Sequence, residues 1–176
     1  MVCRLRVYTA MMQIRMIGLL GLMLVVSTAA IPTNTSIKTK VEQPVNLLPE
    51  RDDSLPASIL YYINLHRKSI GMQALQMNNF ESGVALRHSK DMAAGKVPFG
   101  HDGVESRAKA IGNQLGSMHA FGENVAYGPE TAKEVVDTWL KSRPHRENIE
   151  GDFTQTGIGC SRDKKGMLYY TEIFTK

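Results

Sequence analysis

Apolar and polar positions change their rhythm three times along this chain. From Met16 to Val26 the run MIGLLGLMLVV is apolar without interruption. From Ile31 to about Asp53 the chain is polar, carries Pro32, Pro44 and Pro49, and shows no amphipathic period. Beyond Ser54 apolar residues return at spacings of three and four, as one buried face of a helix requires. Ile59, Ile63 and Arg67 fall at i, i+4 and i+8, with Ser54 as a cap, Pro56 in the first turn and Gly71 as the stop. Asn78 and Glu81 resemble a capping box ahead of a second helix, where Val84, His88 and Met92 recur every four residues up to Gly95.

A third, shorter helix is expected from Asp102 as cap to Gly112 as stop. A fourth is expected from Thr131, with Glu134 three residues on, to Pro144. Its apolar face is Val135, Val136, Trp139 and Leu140, and Trp139 reads as core. The period then changes to two. FTQTGIGCS and MLYYTEIF predict an antiparallel hairpin joined by charged residues and Gly166, and the short ENVAY segment at Glu123 to Tyr127 suits a third strand. Helices first and strands later, with no βαβ alternation, imply the α+β class.

The opening segment changes what the charge means. Residues 1–30 combine a basic start (Arg4, Arg6, Arg15), an apolar run too short to span a bilayer comfortably and the small residues of Ser27 to Ala30, which together read as a cleavable export signal. The sequence therefore divides into a signal (1–30), a polar leader (31–54) and one folded domain (55–176), with an extracellular or periplasmic destination and no stable membrane span after cleavage. The whole chain carries 21 basic and 17 acidic residues, but the signal holds three of the basic ones and no acid. The exported part is thus near neutral. No basic patch outlives processing, which speaks against a nucleic-acid partner. Cys3 leaves with the signal, so Cys160 has no intrachain partner, and its alternation with Ile158 suggests an inert thiol on the inner face of a strand.

Candidate chemistry is sparse. HExxH, paired CxxC, a phosphate loop and the GxSxG elbow are all absent. His101 and His145 stand at element junctions, where function is commonly placed, and Glu123 is a lone carboxylate in AFGENVAYG. Nothing in their spacing makes them meet.

In chain order, INLHRKSIG, LRHSKDMAAGKVPFGH, FGENVAYG, TAKEVVDTWLKSRPHRENI, FTQTGIGC and YYTEIF resemble the CAP superfamily, whose SCP-like domains occur in cysteine-rich secretory, venom-antigen and plant pathogenesis-related proteins. The likeness runs from about Leu55 to Lys176 and is greatest to the compact, cysteine-poor bacterial form. It implies a three-layer α-β-α sandwich around a small antiparallel sheet, with a cleft of two histidines and two glutamates. Carried over residue by residue, those positions are His101, Glu123 and His145, with Ser142 where the second glutamate usually stands. Such a set implies a cleft able to hold Zn²⁺ through His101, His145 and Glu123, or a hydrogen-bond knot in which Glu123 orients a histidine. Glu172 stands where the family usually has glutamine, exposed or in place of lost cleft charge. Asn64, Arg67, His88, Ser89, Asp91 and Asn148 suit packing and helix ends.

Three functions follow from this resemblance. The first is a secreted binding module for a small molecule, lipid or peptide. The second is a metal-dependent hydrolase working through His101, Glu123 and His145. The third is an interaction protein of the envelope or host whose cleft is vestigial.

Overall fold

The computed structural model describes residues 54–176 and, as backbone alone, Val7–Ala10. In chain order the elements are β1 (Val7–Ala10), α1 (Leu55–Ser69), β2 (Gln76–Met77), α2 (Asn79–Ala93), α3 (Val104–Leu115), β3 (Phe121–Tyr127), α4 (Ala132–Lys141), α5 (Arg143–Ile149), β4 (Gln155–Arg162) and β5 (Leu168–Thr175). The sheet runs β1-β3-β5-β4-β2, with β3, β5 and β4 antiparallel and the short outer strands parallel to their neighbours. The signal reading otherwise falls outside the described residues; within its bounds, Val7–Ala10 lies beside β3.

Side chains alternate across the sheet, and the two faces bury different helices. Ala126, Ile158, Tyr170 and Phe174 meet Ile59, Ile63, Val135, Trp139 and Ile149 from α1, α4 and α5. Phe121 and Ile173, on the other face, meet Val84, Ala85, Val104, Ala108 and Ile111 from α2 and α3. This is the three-layer α-β-α sandwich.

Local chemistry accounts for the helix ends. Ser54 Oγ accepts from the Ala57 amide, Asn78 Oδ1 accepts from Phe80 and Glu81, and Thr131 with Glu134 forms a full capping box. Two ends differ from the sequence expectation. The third helix is capped by Gly103, not Asp102, and continues through Gly112 to Gly116, whose φ of 76° only glycine adopts freely. Pro144 ends α4 but also opens α5, since a missing N–H is harmless in a first turn.

Two glycines on β4 set how closely α2 lies on the sheet. A Cβ on Gly157 would stand 2.2 Å from the backbone of Glu81, and one on Gly159 would stand 2.1 Å from the backbone of Leu86. On the opposite layer, Arg67 is buried and donates to the carbonyls of Gln73, Ile149, Gly151 and Phe153, fastening the loops that follow α1 and α5. Asn64 bonds both backbone groups of Leu75.

Candidate functional site

β3 delivers Glu123 to the α2/α3 face of the sheet, where it is fully buried. An isolated carboxylate there would cost several kcal/mol, so its partners decide its state. Arg107, one turn into α3, places Nε 2.7 Å from Oε2 and Nη2 2.7 Å from Oε1, a two-point fork. His101, in the turn before α3, holds Nδ1 2.8 Å from Oε1. Burial acts to raise this carboxyl, but the hydrogen bonds from His101 and Arg107 and the guanidinium charge outweigh it and hold the group below its ordinary value.

His88 on α2 completes the cluster. Arg107 Nη1 lies 3.2 Å from His88 Nδ1 and 2.7 Å from the Asp102 carbonyl, while His88 Nε2 lies 2.8 Å from the Gly100 carbonyl. A guanidinium only donates, so Nδ1 must accept, and Nε2 must carry the proton given to Gly100. His88 is thereby fixed as one neutral tautomer. Burial, with Arg107 beside it, lowers its pKa against the opposing pull of the Gly100 carbonyl.

A cavity of about 540 Å³ opens over this cluster. Phe80, Val84, Arg87, Asp91, Asp102 and Ser106 line it together with His88 and Arg107. The guanidinium and imidazole face the opening, and the carboxylate lies behind them.

The other residues singled out from the sequence lie elsewhere. Asn124, the neighbour of Glu123, points to the opposite face, where its Nδ2 donates to the His145 carbonyl and its Oδ1 accepts from Asn148. His145 is buried in α5, the helix whose Ile149 packs on the α1/α4 face of the sheet. Ser142 is the shared boundary of α4 and α5, its amide donating to the Trp139 carbonyl. The structure joins His101 to Glu123 and adds His88 and Arg107; it does not bring His145 and Ser142 to them.

The donor set does not fit a divalent ion. Both oxygens of Glu123 already accept from a guanidinium, and a metal there would have to displace Arg107 and then remain beside its charge. Among the described residues, no group of three or more His, Cys, Asp or Glu is placed to hold a metal.

Glu172 is neither exposed nor in the cleft. It pairs with Asn124 across the β3–β5 ladder and shares its face, fully buried. Burial raises its pKa well above the ordinary value, against weaker opposition from Thr156 and Arg67. Cys160 is half-buried, and burial pushes its thiol up to about 12, which makes it inert at neutral pH.

Sequence reasoning missed Arg107 and assigned His88 to packing. In VESRAKAIG an arginine reads as a solvated helix position; only the i+4 step from Gly103, where the α3 cap falls, aims it back at the sheet.

The family model for the cysteine-rich secretory proteins (CAP) matches residues 60–174. The uncharacterized protein YkwD of Bacillus subtilis (strain 168) is 32% identical over 121 residues, which cover 60% of this chain and 45% of that protein. The chain thus spans less than half the length of this relative. Among solved structures, an outer surface protein from Borrelia burgdorferi superposes with a TM-score of 0.57 at 20% identity, covering 67% of this chain and 89% of that one. An extracellular protein containing a SCP domain from Bacillus anthracis str. Ames gives 0.56 at 25% identity, covering 69% and 40%. No described helix is long and apolar enough to cross a membrane.

Proposed function

Because this chain belongs to the cysteine-rich secretory protein (CAP) family, a scaffold whose function must be read from its site, we propose that it is an exported binding module. Its ligand site is the cavity above the Glu123–Arg107–His101–His88 cluster. The observation that carries this reading is the state of Glu123. A carboxylate that accepts from His101 and twice from Arg107 is a weak base and a poor metal ligand, so the cluster serves as a rigid floor. Above that floor, Phe80 and Val84 supply apolar surface, and Arg87, Asp91 and Asp102 supply both signs of charge. Such a lining suits a small polar molecule that also has an apolar part. Export is supported by the signal-like start and by the extracellular relative.

The reading is tested by titrating a panel of amino acids and dipeptides into isotope-labelled protein and following backbone amide shifts. Saturable shifts confined to Val84, His88, Ser106 and their neighbours support it. Absent or scattered shifts throughout the panel overturn it. Zinc chloride added to the same sample tests the hydrolase reading: saturable changes at His101 and Glu123 favour a metal, despite the guanidinium.

A further inference from the structure

A second depression, about 890 Å³, lies at the β4 edge of the sheet, away from the Glu123 cleft. We propose that this edge takes an extended peptide strand from another protein, with alternating apolar side chains and acidic residues at one end.

β2 pairs with β4 only at Gln155 and Thr156, after which Asn78 turns the chain into α2. The Ile158 amide is taken by Ser82 Oγ at 3.3 Å, but no described strand pairs with this side of Cys160 to Arg162. An unpaired edge is a template for one more strand. The walls suit side chains: Leu55 and Leu60 of α1 on one side and Leu86 of α2 on the other, where Gly83 of the same helix leaves a notch.

Charge then selects the occupant. Among the described residues, Arg162 is the single charged member of the lining, and no carboxylate faces the depression. Asp163, whose Oδ1 accepts from the Lys165 and Met167 amides, then Lys164 and Lys165 follow it in the hairpin turn. The first turns of α1 and α2 both open onto the groove with their positive dipole ends. α1 has no acid in that turn, and the acid of α2, Glu81, is buried and bonded to Thr175. The exposed bond of Arg162 to Glu130, at 3.0 Å, is of the kind that exchanges readily for another carboxylate.

The test uses the full chain and a fluorescein-labelled octapeptide that alternates valine with serine and ends in two aspartates. Its controls are a version ending in two lysines and one N-methylated at alternate amides. Saturable anisotropy is expected for the aspartate peptide, weakened about tenfold or more by N-methylation, since about two backbone hydrogen bonds are lost. Gly83→Leu should weaken it at least as much with the fold intact, because a Cβ there meets nothing within 4 Å and leucine is the better helix former. Arg162→Glu should remove the preference for aspartate over lysine. No saturable binding, equal binding of both charge versions, or indifference to N-methylation or to Gly83→Leu each overturns the proposal.

Discussion

Glu123 and Glu172 sit one ladder step apart on neighbouring strands, both fully buried, and they solve the same problem in opposite ways. Each has an arginine in its layer. Arg107 turns its fork onto Glu123 and keeps it charged. Arg67 spends its donors on backbone carbonyls and reaches Glu172 only through its field. Thr156 tells the same story: its single hydroxyl proton is divided between the Ile173 carbonyl at 2.8 Å and Glu172 at 3.2 Å, so the carboxyl receives only a weak share of one donor. A buried acid is therefore not a functional signal in itself. What separates the two is whether the neighbouring cation is free to answer.

Removing the cation should break that contrast most violently. Arg107→Ala leaves Glu123 buried without its main partner and should cost about 3–5 kcal/mol at neutral pH, read by urea unfolding. It should also invert the pH response. In the native protein the lowered pKa of Glu123 contributes stability that is present above the ordinary carboxylate range and is lost as pH falls; without Arg107, acidification should restore stability. An Arg107→Ala protein as stable as the parent at neutral pH would show that the fork contributes nothing net.

Glu172→Gln should act in the other direction, raising stability more at pH 8, where the raised pKa makes the native acid a liability, than at pH 5. Glu81 sharpens the point with a value. Burial pushes it up to about 7 against the Thr175 bond, so the folded state binds the extra proton. Stability should fall as pH rises from about 4.5 through about 7, and Glu81→Gln should remove about 3 kcal/mol of that fall. A pH profile unchanged by this substitution would place its titration elsewhere. The smallest effect is expected from His101→Gln, about 1 kcal/mol, because the Arg107 fork remains when one hydrogen bond is changed.

The same comparison explains what the sequence could show. Helix starts were legible at Ser54, Asn78 and Thr131 because capping is a local matter of side-chain oxygens and nearby amides. The β4–β5 hairpin was legible from its period. The partners of Glu123 were not. From Phe121 to Ala126 every residue of β3 is buried, on both faces, so no polar alternation marks which side faces which helices. Family likeness could propose His101 and His145 together, but the pleat turns Glu123 toward His101 and its neighbour Asn124 toward the His145 carbonyl. Arg107 depended on the α3 cap falling at Gly103 instead of Asp102, a one-residue difference that rotates the helix by about 100°. Two-residue β2 carries too little pattern for any period to register.

The glycines of β4 have a consequence at a distance. Gly157 and Gly159 let the backbone of α2 rest on the sheet where a methyl group would otherwise stand. The same helix carries His88, whose 3.2 Å contact with Arg107 tolerates far less displacement than a side-chain layer would impose. The two glycines thus work as a depth gauge for a cleft they never touch. An alanine at either position should be felt first as a shift of the His88 ring relative to the guanidinium. It follows that a survey of mutations ranked by distance from the cleft would rate these positions as bystanders, although they set its dimension.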